Sequence, residues 1–210
     1  MLVRDRMTKN PIITRPTASV PDALKVMQGS KVRQLPVMGE KSGLVGIVSL
    51  VDLFRASPSP ATSLSVWEVG YLLEKIKVED VMTREVITVS EDTAVEEAGR
   101  IMAENKISGL PVMRDGELVG IITESDLFNI LLELFGAGQS GVRVTAKTPL
   151  VKGNLARLAS AVADVGGQFV AFGESMADGT VTFKVRGVER DKLLKTIEPH
   201  MSSILDVRES

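Results

Sequence analysis

Two segments of the chain place a glycine, a hydroxyl and a carboxylate at one spacing: Gly46-Ile-Val-Ser49-Leu-Val-Asp52 and Gly120-Ile-Ile-Thr123-Glu-Ser-Asp126. The first reading is local: Ser49 or Thr123 caps a helix, and the acid three residues on completes a capping-box-like start. The same geometry also suits a ligand, because a strand running into a helix N-terminus leaves backbone N–H groups and a favourable dipole for an anion. The hydroxyl can donate to a phosphate. An ionised Asp is a poor phosphate neighbour but a good acceptor for the two hydroxyls of a ribose. One residue of each kind suits a nucleoside phosphate. With no G-x-x-x-x-G-K-[ST] run and no G-x-G-x-x-G at a strand-to-helix turn, such a nucleotide would be bound as a signal rather than hydrolysed or used for hydride transfer.

The rest of the composition offers no reaction centre. The 210 residues contain no cysteine, which excludes disulfides, thiolate nucleophiles and Cys-based metal sites. The single histidine, His200, lies near the end of a predicted helix and takes no role. No pair of carboxylates is spaced for acid-base work, so no catalytic residue and no metal site is assigned and the chain is not read as an enzyme. A formal charge of −2 and a pI near 5.6 leave no electrostatic footprint for a phosphate backbone, so nucleic acid is not an expected partner. Met1 to Asn10 carries Arg4, Asp5, Arg6 and Lys9, unlike a secretory segment. The most apolar run, Leu127 to Phe135, is interrupted by Asn129 and Glu133 and is far shorter than the roughly 20 residues that span a bilayer. The expectation is a cytoplasmic protein with no membrane contact.

The two segments end the copies of an internal repeat. Met7-Thr8 recurs as Met82-Thr83, Val20 to Ala23 as Val95 to Ala98, Leu35-Pro36-Val37-Met38 as Leu110-Pro111-Val112-Met113, and Leu44 to Ile47 as Leu118 to Ile121, at an offset of about 75 residues. Matching Ile13-Thr14 to Ile87-Thr88 implies a one-residue shift before Thr14, and a second falls between Met38 and Gly46. Each copy reads strand, helix, strand, strand, helix. The first helix, Ser19 to Gly29, aligns Val20, Ala23, Leu24 and Met27 on one face; its copy aligns Val95, Ala98, Ile101 and Met102, with Ser19 and Thr93 as N-caps. A turn at Gly39 to Gly43, or at Asp115-Gly116, then joins two strands. So small a unit buries little surface alone, which favours two copies packed back to back.

Between the copies lie a linker by composition, residues 56–62, and an amphipathic helix, Leu64 to Ile76, that holds the only tryptophan, Trp67, and the only tyrosine, Tyr71. That helix packs against its own module, a second chain or the C-terminal domain. The domains are expected at 1–56, 57–77 for the linker and inserted helix, 78–136 and 137–210. After the glycine-rich stretch Gly136 to Gly141, the periodicity gives strand (Val142 to Ala146), helix (Asn154 to Val165, with Leu155, Leu158, Ala159, Val162 and Val165 inward), strands Gln168 to Phe172 and Thr180 to Val185, helix Glu189 to Ile197 and strand Ser203 to Val207. This is a βαββαβ order.

On both Gly-h-h-[ST]-x-x-Asp endings (h, apolar), both Leu-Pro-Val strands and both Met-Thr openings, residues 1 to 135 resemble a tandem pair of CBS domains, the Bateman module. The resemblance implies an α/β (α+β) fold of pseudo-twofold symmetry, a homodimer of modules, and two clefts able to hold AMP, ADP, ATP or S-adenosylmethionine as regulatory ligand, with no catalytic cofactor. Carried over residue by residue, Asp52 and Asp126 would accept the ribose, with Ser49 and Thr123 near phosphate or sugar. Ile12, Ile13 and Thr14, and Val86, Ile87 and Thr88, would hold the adenine edge as opening strands, beside Leu35-Pro36 and Leu110-Pro111. Arg33 and Ser108, each three residues before a proline, would face the phosphate region. Only Arg33 is charge-matched to phosphate, so the clefts should differ in ligand or affinity. The resemblance leaves open which Asp shares a cleft with Arg33.

The C-terminal order, with Lys152-Gly153-Asn154-Leu155 at the first strand-to-helix turn, resembles the ACT domain, a ferredoxin-like sensor of small molecules. The backbone of Gly153 and the side chain of Asn154 are its candidate ligand groups. Many ligand-binding ACT domains carry Asp and Pro where this chain has Leu150 and Lys152, which turns the expectation toward dimerisation or interaction. A CBS pair followed by such a domain looks like the acetoin-utilisation accessory protein family, implying regulation of carbon metabolism through a metabolic enzyme partner. Two other readings stay open: a scaffold whose repeats are purely architectural, and an amino-acid sensor acting through the C-terminal domain.

Overall fold

The computed structural model describes residues 1–40, 43–56, 66–149, 151–175 and 177–209, without the side chains of 66, 67, 69 and 70. Most of the expected linker, Trp67's side chain and Leu150 lie outside the described residues. The chain divides into two compact units, Met1–Leu127 and Phe128–Ser210.

The first unit contains both repeats. The first comprises β1 (Thr8–Lys9), α1 (Val20–Ser30), β2 (Gln34–Met38), β3 (Leu44–Ser49) and α2 (Leu50–Arg55). After α3 (Val66–Lys75), the second comprises α4 (Val78–Val81), β4 (Val89–Ser90), α5 (Val95–Asn105), β5 (Gly109–Arg114), β6 (Glu117–Thr123) and α6 (Glu124–Leu134), whose last residues belong to the second unit. Both hairpins are antiparallel and carry a register shift at the same place, Val37/Met38 and Val112/Met113. Val20, Ala23 and Met27 of α1 and Val95, Ala98 and Met102 of α5 are buried by helical periodicity; Leu24 and Ile101 are partly covered. Leu73 and Ile76 pack against the core of the first repeat, so the inserted segment covers its own module, while Tyr71 is 61% exposed with Lys75 Nζ 4.2 Å from its ring centroid.

Each repeat is completed by the segment that leads into the other. Leu2 bridges Ala94 while Lys77 bridges Ser19, and Val3 N donates to Thr93 O while Val78 N donates to Ala18 O. β1 lies antiparallel to β6, with Thr8 opposite Ile121, and Thr83 bridges Ile47 in the same way. The Met-Thr openings follow from this exchange. A Cβ on Gly120 would collide with Met7 Sδ, and one on Gly46 with Met82 Sδ.

Three local expectations are corrected. The segments Ile12 to Thr14 and Val86 to Thr88 are not ladder strands. Only Thr14 pairs, bridging Val37 in parallel, and the second copy pairs one residue later, Val89 opposite Val112. Thr14 therefore corresponds to Val89, the offset stays at 75 residues through this region, and the expected shift before Thr14 is absent. The identical Ile-Thr pairs suggest the shorter offset, but register is set by the partner strand, and Pro11 and Pro16 confine pairing in the first copy by removing donors. The N-cap of α5 is Ala94 rather than Thr93, with no side-chain cap bond, whereas Ser19 Oγ accepts from Asp22 N as expected.

The second unit places β7 (Val142–Lys147), α7 (Asn154–Asp164), β8 (Gln168–Ser175), β9 (Thr180–Arg186), α8 (Arg190–Ile197) and β10 (Ser203–Glu209) in βαββαβ order, with an antiparallel sheet ordered β10-β7-β9-β8. Its core joins Leu158 and Val162 of α7 to Val144, Phe183, Leu193 and Ile197. The inward stripe of α7 begins at Asn154 rather than at Leu155, so Leu155 and Ala159 face outward. Gly136 to Gly141 matches G-x-G-x-x-G in spacing, but it leads from helix α6 into strand β7, the reverse of a dinucleotide-binding turn.

Candidate ligand-binding site

The first strand-to-helix turn forms a full capping box, with Asp52 N donating to Ser49 Oγ at 3.3 Å, and the second forms the carboxylate half of one. Ser49 N donates to Asp52 Oδ2 at 2.8 Å and Ser49 Oγ at 2.6 Å; Thr123 N and Oγ1 reach Asp126 Oδ2 at 2.8 and 2.7 Å. Every one of these bonds falls on Oδ2, and among the described residues Oδ1 of either acid takes none. Each carboxylate can therefore hold its turn with one oxygen and present the other as an acceptor. The local and the ligand readings of the motif are compatible.

Each Asp lines a cavity together with the opening segment of the other repeat. One cavity, about 520 Å³, joins Ser49 and Asp52 to Thr83, Glu85, Val86 and Ile87. The other, about 260 Å³, joins Thr123 and Asp126 to Thr8, Asn10, Pro11 and Ile12. At the offset fixed by the strand register, these opening residues correspond one to one. Arg33, Gln34 and Ser108 line both cavities, which answers which Asp lies near Arg33: both do. Arg33 and Ser108 are equivalent positions. Leu50 N donates to Arg33 O at 2.9 Å and Glu124 N to Ser108 O at 3.0 Å, so each residue is tied to the helix start of its own repeat.

Gln34 crosses to the second repeat, its Nε2 donating to Ser108 Oγ, and fills the space that a Cβ on its counterpart Gly109 would need. Its Oε1 is buried without a partner among the described residues.

Of the residues singled out by sequence, the cavities gather Ile12, Arg33, Pro36, Ser49, Asp52, Val86, Ile87, Ser108, Thr123 and Asp126. Leu35 and Leu110 are wholly buried instead, because alternation along β2 and β5 turns Gln34 and Pro36 to a cavity and the leucines to the core. Thr14 is buried in its bridge with Val37, and Ile13, Thr88 and Pro111 line neither cavity. Sequence reasoning missed Lys31, Lys106, Glu85 and Asn10. The repeat alone could have flagged the lysines, which occupy the same position, one per cavity, and both cap a helix with a left-handed backbone at φ 55°.

The CBS domain family matches residues 3–59 and again 78–133. The chain belongs to the CBS domain family. Its paired CBS units are similar to several solved structures. One is the CBS domain pair of protein MJ0100 in complex with 5'-methylthioadenosine and S-adenosyl-L-methionine: 31% identity, TM-score 0.52, over 62% of this chain and 95% of that one. CBSX2 in complex with AMP aligns at 34% identity and TM-score 0.52 over 62% and 96%. A putative acetoin utilization protein (AcuB) from Vibrio cholerae aligns at 32% identity and TM-score 0.53 over 66% and 98%. Proteins built on CBS pairs are generally regulatory rather than catalytic.

In the second unit, Gly153 and Asn154 line a cavity of about 260 Å³ with Thr148, Lys152, Phe172 and Glu174. Asn154 is buried and its Nδ2 donates to His200 O at 3.0 Å, so one of its two amide N–H groups is already engaged. Gly153 takes the N-cap position with φ 79°. Among the described residues no group of His, Asp and Glu could hold a metal ion, and no helix is long and apolar enough to cross a membrane.

Proposed function

We propose that the chain is a regulatory sensor without catalytic activity, whose CBS pair binds adenosyl ligands: AMP, ADP, ATP or S-adenosylmethionine. The observation that carries this reading is the pairing of each free Asp Oδ1 with the apolar opening segment of the other repeat, an acceptor for a ribose beside a slot for a base. The C-terminal unit we read as an ACT-like domain. The burial of Asn154, with one amide N–H spent on His200 O, favours assembly or partner contact there over amino-acid binding. A cytoplasmic homodimer acting on a metabolic enzyme completes the proposal, and the likeness to the Vibrio cholerae protein points to acetoin or carbon metabolism.

The bonds from Ser49 and Thr123 to the two carboxylates favour one rival, a scaffold in which both acids serve only the helix starts. Ligand-linked stability separates the two. At 100 times the dissociation constant, a ligand that binds only the folded state stabilises it by about 2.7 kcal/mol. A thermal-shift panel of AMP, ADP, ATP, S-adenosylmethionine, NAD and the amino acids should show this for an adenosyl ligand. No shift with any of them would favour the scaffold, and a shift with an amino acid alone would move the sensor to the C-terminal unit.

A further inference from the structure

The two cavities are built from equivalent positions of the two repeats but differ in size, about 520 against 260 Å³, and in charge. The cavity closed by Asp126 holds Lys31 and Arg33 against that single carboxylate. The cavity closed by Asp52 holds Lys106 and the same Arg33, but against two carboxylates, because Glu85 stands where the first repeat has Asn10. No ion pair joins Glu85, Lys31, Lys106 or Arg33 to another group among the described residues, so these charges face the cavities unneutralised by neighbours. The two cavities also share one guanidinium, because the counterpart of Arg33 is the uncharged Ser108.

A nucleoside monophosphate brings about two negative charges at neutral pH. In the Asp126 cavity it meets an excess of positive charge. In the Asp52 cavity it meets balanced charge, with Glu85 opposing it. A phosphate paired with Arg33 from one side also removes the strongest bidentate donor from the other. We propose that the cavities are selective by charge: the Asp126 cavity takes the phosphorylated nucleoside, the Asp52 cavity takes an adenosyl ligand without phosphate, and the shared Arg33 opposes two phosphates at once. This rests on the reading that the cavities bind adenosyl ligands.

The test is calorimetric titration of the full chain at low salt with AMP and, separately, with adenosine. Adenosine should fill two sites per chain, whereas AMP should fill one tightly and a second more weakly. Asp126→Asn and Asp52→Asn should each remove one adenosine site, but only Asp126→Asn should remove the tight AMP event, which Asp52→Asn keeps. Asn10→Asp, a residue that tolerates the φ of 49° at that position, should weaken the tight AMP event by roughly two- to fivefold, the scale of one exposed charge pair. Glu85→Asn should strengthen the weaker one by a similar factor, and both effects should shrink in high salt. Glu85 and Asn10 are exposed, so these two variants keep the question answerable if an Asp variant folds poorly. Two equal AMP sites, or a tight AMP event that is lost in Asp52→Asn and kept in Asp126→Asn, overturns the charge assignment. Adenosine binding at neither site overturns the adenosyl reading itself, and the assignment with it.

Discussion

The thioether of Met82 occupies the place where a Cβ on Gly46 would stand, so the residue that opens the second repeat packs onto the strand that ends the first. Met7 and Gly120 repeat the contact from the other side. Two features that look separate in the sequence, the Met-Thr opening and the glycine of the Asp-bearing motif, are thus the two halves of one contact. It holds each opening segment beside the other repeat's carboxylate, where both cavities form.

Gly46→Ala and Gly120→Ala should each destabilise the first unit by about 1–3 kcal/mol through overpacking. Pairing Gly46→Ala with Met82→Ala should cost less than the sum of the two single changes, because the second removes the side chain that the first strikes. A urea-unfolding double-mutant cycle measures this. Strict additivity would mean that the strand has moved away from Met82.

Much of this architecture is legible in the sequence because it is periodic. Both helices with their buried faces, both hairpins and the βαββαβ order stand where hydrophobic spacing and turn residues put them. The misplacements have particular causes. Ile13-Thr14 and Ile87-Thr88 are identical in type yet one register apart, since identity is local whereas register is set by a partner strand. Leu35 and Leu110 entered the candidate site with their motif, and strand alternation alone turns them inward. Glu85 and Asn10 carry no local signal. The exchange of opening segments, a long-range event, is what brings each into the lining of a cavity that an Asp and Arg33 also line.

Lys31 and Lys106 hold a left-handed backbone at φ 55°, a conformation that costs a residue with a side chain about 1–2 kcal/mol and is usually given to glycine at a helix C-terminus. On the proposed binding role, a need for the charge would account for lysine there in both repeats. Lys31→Gly should raise the stability of the first unit by about 0.5–1 kcal/mol, the relieved strain less the added freedom of the unfolded chain. It should also weaken AMP binding by roughly two- to fivefold. Thermal melts and titration of the same preparation read both. A stability gain with unchanged affinity would leave Lys31 as an ordinary helix cap.

Lys184 is 6% exposed and donates from Nζ to the carbonyls of Gly136 at 3.2 Å and Gln139 at 2.8 Å. It ties the turn after α6 to the sheet of the second unit. Lys184→Met keeps the packing of the stem but leaves both carbonyls without this donor, and should cost about 1–3 kcal/mol. Amide hydrogen exchange should quicken first around 136–139, before the sheet loosens. Uniform exchange across the unit would instead assign Lys184 to the core as a whole.

If Asp52 and Asp126 hold a ribose as proposed, their double use separates stability from binding at single atoms. In Asp126→Ala both uses go: the bonds from Thr123 N and Oγ1 are lost, costing about 0.5–2 kcal/mol as for a lost cap, and the ribose acceptor is lost with them. In Asp126→Asn the amide oxygen can keep the bond to Thr123 N, so the nitrogen, a donor, turns to the cavity where an acceptor was needed. That variant should melt within about 0.5 kcal/mol of the parent, the usual range for a change that keeps its contacts, yet bind adenosine at one site fewer. Thr123→Ala removes the hydroxyl but leaves the Oδ1 acceptor, so its loss should fall more on stability than on adenosine binding. Melting curves and adenosine titrations on the three variants give the pattern directly. If affinity follows stability across all three, the acids serve the helix starts alone and the ribose role falls.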